Sequence, residues 1–158
     1  MPIYKSLSDR LRNQHEAIGN IIVGKNAERL NFHPAPGKWS IHDNIAHLAK
    51  YQPMFQGRIN TILKEDNPFF DRYKAEDDLN FETWRSYDTK RLLNILTTDR
   101  EKFFDLVTNL PDDKVIRIGT HGKYGKLTII QWTEFFLLHE AHHIFTIFQL
   151  ANDIGTKV

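Results

Sequence analysis

The stretch Thr128–Ala151, TIIQWTEFFLLHEAHHIFTIFQLA, constrains the chain more than any other. At about 100° per residue, Trp132, Phe136, His139, His143, Ile147 and Leu150 fall on one helical stripe. Two histidines therefore sit where a helix buries its contacts. Thr128 with Gln131 forms the capping box that starts such a helix. Imidazoles at i and i+4 lie one above the other, with Cβ atoms roughly 5–6 Å apart. Both rings can then reach one metal ion at about 2.0–2.1 Å.

The string HEAHH also satisfies H-E-x-x-H, in which Glu140 would act as the general base of a zinc protease. That reading needs another ligand close downstream. Fifteen residues follow His143, and none is His, Cys or Glu. A third ligand has to come from upstream.

Upstream, three further long stretches have helical periodicity. From about Tyr4 to Leu30, the residues Leu7, Leu11, His15, Ile18 and Ile22 recur every three or four positions, with Gly19 and Gly24 weakening the helix. Asn31–Ser40 is a loop broken by Pro34, Pro36 and Gly37. Ser40 and Asp43 then resemble a capping box for a helix over Ile41–Lys64, which Pro53 should bend. On that helix His47 shares a stripe with Asn44, Tyr51, Met54 and Arg58. Such a polar stripe either lines a cavity or is not buried. Glu65–Asn80 is a charged, irregular connection. A third helix is predicted over Glu82–Thr108, with Asn80 as its N-cap. The β-branched Val115–Ile118 and the glycines of GTHGKYG predict a short hairpin or extended loop within Asp112–Leu127.

Four long helices with one long crossover predict an all-α, up-down four-helix bundle with a short β-like loop before the last helix. At 158 residues the chain fits a single domain, 1–158. Metal sites in such bundles form between facing helices, which pairs His47 with His139 and His143. A net charge of +1 offers no case for nucleic acid or acidic membranes. The absence of cysteine removes disulfides, thiolate nucleophiles and cysteine zinc sites. With no apolar signal segment in MPIYKSLSDR and no apolar run of spanning length, a cytoplasmic location is expected.

The segments GKWSIHDNIAHLAKYQ and KLTIIQWTEFFLLHEAHHIFTIFQL resemble the two signature segments of the DinB-like (YfiT-like) superfamily of four-helix-bundle metal-dependent enzymes. That family places Trp-Ser before a helix, a His-Leu pair about two turns in, and H-x-x-x-H near the chain end. The resemblance implies a ligand triad at His47, His139 and His143, and a divalent ion, nickel or zinc, with open positions filled by water. It also implies a small-molecule substrate. Some members are thiol transferases, or hydrolases and isomerases that use a low-molecular-weight thiol. Pairing through helices is common among them, so a homodimer is an expectation.

Asp43, Tyr51, Arg58 and His142 are candidates for supporting the ligands or contacting substrate. Asp43 could orient His47, although capping is its simpler role. Tyr51 and Arg58 could bind a carboxylate or phosphate, or Arg58 could pair with an acid. His142 is either a donor beside the ligands or a partly exposed side chain. His15 is expected as a hydrogen-bonded core residue, and His33, His42 and His121 as solvated. The expected function is metal-assisted thiol transfer or hydrolysis. The alternative is a non-catalytic, metal-stabilised binding or dimerisation module.

Overall fold

A computed structural model describes residues 3–155. Its elements are α1 (Lys5–Asn13), α2 (Glu16–Ile21), α3 (Ala27–Asn31), α4 (Ile41–Lys64), β1 (Phe69–Phe70), α5 (Phe81–Arg85), α6 (Thr89–Thr108), α7 (Asp112–Val115), β2 (Ile118–His121), β3 (Gly125–Thr128) and α8 (Ile129–Ala151). A single 3-10 turn covers Ala75–Asp77. The architecture is an all-α four-helix bundle carrying a small three-stranded sheet. α6 and α8 each pack against both α4 and the N-terminal helices.

Both capping boxes form. Ser40 and Asp43 start α4, and Thr128 and Gln131 start α8. α4 runs unbroken through Pro53. The first predicted helix is instead three pieces. Its first break falls at Gln14–His15, where both side chains turn into the core. The second falls at Gly24, whose φ of +74° is open to glycine at no steric cost. The third predicted helix is divided at Ser86–Asp88. Asp88, not Asn80, caps the long portion by accepting from the Arg91 amide at 2.8 Å.

The hairpin forms later than expected, because Val115 belongs to a turn of helix and is buried in the core. β2 pairs antiparallel with β3 (Ile118↔Thr128, His121↔Gly125). β1, from the connection expected to be irregular, pairs parallel with β2 (Phe69↔Thr120, Phe70↔His121). A Cβ at Gly119 would meet Ile62 at 2.7 Å, so only glycine lets β2 lie this close to α4. Trp132 donates its indole N–H to the Gly119 carbonyl at 3.2 Å and ties the sheet to α8. Among the described residues, no helix is long and apolar enough to cross a membrane.

The core has two apolar clusters. One gathers Leu11, Phe55, Phe103 and Phe136, and the other Ile18, Ile45, Leu96 and Ile147. Between them runs a polar layer contributed by every long helix. Arg100 on α6 and Glu140 on α8 form an ion pair, each side chain 1% exposed. Arg100 also donates to Gln52 Oε1 (2.7 Å) and to the Leu11 carbonyl (3.2 Å). Gln14 donates to the other Glu140 oxygen and to the Leu137 carbonyl, both at 2.8 Å. Gln52 donates in turn to the Leu96 carbonyl at 2.9 Å.

Charges this deeply buried are tolerated only when fully hydrogen-bonded. Glu140→Ala is therefore expected to destabilise the protein by about 3–5 kcal/mol in urea unfolding, because Arg100 is left unpaired. The double replacement Arg100→Met, Glu140→Leu is expected to recover most of that loss. Equal stabilities for the single and double variants would contradict this account.

Candidate metal centre

Three histidines converge where the polar layer meets the surface between α4 and α8. His47, His139 and His143 each offer a ring nitrogen, and these atoms lie within 4.8 Å of one another. The Nε2 atoms of His47 and His139 are 3.2 Å apart. Two nitrogens bound tetrahedrally to one ion at about 2.0–2.1 Å would be separated by roughly 3.3 Å. His47 is 4% exposed and the other two are half-buried.

Glu140, the general base of the H-E-x-x-H pattern, projects about 100° away from His139. It is held in the core by Arg100 and Gln14. The helix thus uses its histidines on one face and its glutamate on another.

Burial keeps all three imidazoles neutral. The pKa of His47 is lowered to about 3, by burial first and then by His139 and Lys50. That of His139 falls to about 4 through burial and His142. That of His143 falls to about 2 through burial and the charges of the neighbouring histidines. Neutral rings with converging lone pairs suit a borderline divalent ion.

The tautomer of His143 follows from a local chain of hydrogen bonds. Asn44 donates its amide N–H to the Ser40 carbonyl at 2.8 Å, one turn back along α4. Its Oδ1 therefore accepts from His143 Nδ1, also at 2.8 Å. The proton sits on Nδ1, and Nε2 is left with its lone pair. Nδ1 of His47 and of His139 are buried without a protein partner.

Asp43 does not reach His47. Its carboxylate accepts from the Ser40 amide (2.9 Å) and from Arg85 (2.7 Å), and lies 2.7 Å from His33 Nε2. Tyr51 is buried with its ring 4.1 Å from that of His139. Arg58 donates to the Asp71 carbonyl at 2.7 Å and makes no ion pair with a carboxylate among the described residues. His142 is exposed beside His143, with ring centroids 5.2 Å apart.

His42 and His121, expected in solvent, are buried. His42 lies 2.8 Å from both Thr89 Oγ1 and the Arg85 carbonyl, and so joins α4 to the start of α6. His121 accepts two backbone amides at the hairpin turn. His33 is exposed, as expected.

Sequence reasoning missed the walls of the site. Trp39 lies over His47 and His143, with centroid distances of 5.1 and 5.9 Å. Tyr73 covers His47 from the 65–80 connection, at 5.9 Å. Tyr73 is held there by its hydroxyl bond to Asp78 (2.9 Å), and Asp78 pairs with Lys50 at 2.5 Å. Trp39 could have been found from its position one residue before the Ser40 cap. Tyr73 carried no local signal. Together they border an open cleft of about 890 Å³, rimmed by Lys38, Arg72, Lys74 and Glu76.

Residues 9–147 match the family model of the DinB superfamily. The chain belongs to the DinB superfamily. Its relative YuaE of Bacillus subtilis (strain 168), an uncharacterized protein, is 24% identical over 150 residues, covering 85% of this chain and 91% of YuaE. Among solved structures it is similar to YfiT from Bacillus subtilis, with a TM-score of 0.81 and 18% identity, covering 96% of this chain and 87% of that one. YfiT is described as a probable metal-dependent hydrolase with an unusual four-helix bundle topology.

His15 is a further buried histidine, outside the cluster. Its Nδ1 lies 3.4 Å from Arg100, and its Nε2 has no partner. Burial and the Arg100 charge lower its pKa from 6.5 to about 4. Above pH 6.5 neither the folded nor the unfolded chain carries this proton. Below it the unfolded chain takes up a proton that the fold refuses, so stability falls as the pH drops towards 4. Between pH 6.5 and 5, His15→Gln is expected to lose roughly 2 kcal/mol less stability than the parent. Urea unfolding at both pH values checks this, and parallel losses would refute it.

Proposed function

We propose that this chain is a metal-dependent enzyme whose divalent ion, nickel or zinc, is held by His47, His139 and His143, and that it hydrolyses a small-molecule substrate bound in the adjoining cleft. The observation that carries this reading is the convergence of three neutral imidazoles, from two helices, at the floor of an open cleft. Three protein ligands are the pattern of a catalytic rather than a closed structural site. The description of YfiT as a probable metal-dependent hydrolase supports the same class.

When bound, such an ion supplies Lewis acidity and lowers the pKa of a water or thiol it holds. The chain's own residues set the conditions for that chemistry. Asn44 keeps the His143 lone pair aimed inward. Trp39, Tyr51 and Tyr73 exclude water from the ligand rings. His142 is the exposed imidazole beside the cluster and is placed to exchange a proton at the cleft mouth. Glu140 takes no part.

Thiol transfer is the second reading, favoured by the cleft's volume of about 890 Å³, which accommodates a cosubstrate together with an electrophile. With no cysteine in the chain, the sulfur nucleophile has to arrive as a small molecule.

Two measurements test the proposal. In calorimetric titration with zinc or nickel, His47→Ala, His139→Ala and His143→Ala are each expected to weaken binding at least about 100-fold. Asn44→Ala, which leaves all three ligands in place, should weaken it about 10–100-fold. In a panel of esters, amides and thiol–electrophile pairs, the metal-loaded protein should show turnover that chelation abolishes with only a modest fall in melting temperature. A large fall in melting temperature with no turnover would assign the ion a structural role in a binding module. Undiminished metal binding in the triple variant would dismiss the site.

A further inference from the structure

A second, smaller chamber of about 290 Å³ opens behind the histidine cluster. It shares His139, His142, Arg72 and Tyr73 with the main cleft, so a molecule lying in it reaches the cluster past Tyr51. Its composition is one-sided. Arg58 and Arg72 line it, and no carboxylate does.

Arg58 uses one N–H on the Asp71 carbonyl and is ion-paired to no acid among the described residues, although it feels the charge of the exposed Asp71. Arg72 is exposed and makes no ion pair among the described residues either. A guanidinium has five donors in a planar fork, so both retain free N–H groups.

Two buried neutral groups add to them. His121 is 3% exposed, and its Nδ1 accepts the amides of Lys123 (2.9 Å) and Tyr124 (3.2 Å). Its proton is therefore on Nε2, which has no partner among the described residues. The Tyr51 hydroxyl lines the same chamber and likewise has no hydrogen-bond partner among the described residues. Phe135 and Tyr124 supply apolar walls. Two guanidinium groups, an imidazole N–H and a phenol thus border one space that no carboxylate among the described residues lines, and that set of donors defines what would fill it.

We propose that the chamber is the anion-recognition subsite of the enzyme, and that the substrate is a small molecule whose carboxylate or phosphate is gripped there while its reactive bond lies at the histidine cluster. The subsite rests on the metal-dependent reading only for its role in turnover. Its capacity to bind an anion does not depend on the metal. Arg58 and Arg72 provide charge and bidentate geometry, and His121 and Tyr51 provide the buried donors.

The test uses metal-free full-length protein, titrated with benzoate, phenylphosphate and the neutral isostere benzamide, and followed by calorimetry. At least one anion is expected to bind ten-fold or more tightly than benzamide. Whichever of the two anions binds more tightly identifies the group recognised. Arg72→Ala, at an exposed position, and Arg58→Met should each weaken that binding about ten-fold or more. Lys74→Ala, on the far rim of the cleft, should leave it unchanged. Arg72→Ala is expected to melt at the parent temperature, so its loss of binding reports on the chamber. Benzamide binding as tightly as both anions would overturn the proposal, as would a loss of binding in Lys74→Ala but in neither arginine variant. If the anions bind as expected while zinc and nickel do not bind at all, the metal reading fails and the subsite stands. The reverse pattern removes the subsite alone.

Discussion

The ion pair between Arg100 and Glu140 holds the rest of the molecule in place. α8 is apolar around most of its circumference, and hydrophobic packing alone would leave its rotation about its own axis weakly determined. A carboxylate with 1% exposure changes that, because only one rotation lets Glu140 meet Arg100 and Gln14 together. With Glu140 fixed, His139 and His143 are carried to the face that looks at α4. The pair also draws α1 and α4 into the same layer, through the Leu11 carbonyl and Gln52. Its contribution is therefore as much to specificity of packing as to net stability.

The histidine cluster depends on a second, more local device. Ser40 caps α4 through its side chain, while its carbonyl takes the Asn44 amide. This orients Asn44, and Asn44 orients His143. A backbone carbonyl at the start of one helix thus ends up deciding which nitrogen of a ring on another helix carries a proton. Burial does the remainder, by making the charged imidazolium unfavourable for all three rings. The outcome is three uncharged rings at neutral pH, with the His143 lone pair on Nε2 and the Nε2 atoms of His47 and His139 3.2 Å apart.

What could be read from the residues was what repeats locally. The start of α8, the capping boxes at Ser40 and Thr128, and the i, i+4 spacing of His139 and His143 all lie within a turn or two of sequence, and all are present in the fold. The convergence of His47 followed from bundle geometry and from resemblance to the family. The polar layer was not legible, because Arg100 stands 40 residues from Glu140 and 48 from Gln52, and nothing local marks any of them as buried. His42 and His121 were misplaced for the same reason: a helix start and a hairpin turn are ordinarily exposed, but α6 covers one and α8 the other. β1 is two residues long and exists only because β2 offers it an edge. The breaks at Gln14–His15 and Ser86–Asp88 likewise answer to contacts made elsewhere in the bundle.

The two spaces beside the cluster are built from different kinds of chain. The floor belongs to α4 and α8, whose faces are committed to the core on one side and the histidines on the other, so a single-residue insertion in either would turn every side chain beyond it by about 100°. Arg72, Tyr73, His121 and Tyr124 come instead from the connection after α4 and from the hairpin, surface segments in which length and composition can drift at small cost to the bundle. A change in those two loops would therefore reshape the space beside the histidines without moving the histidines themselves.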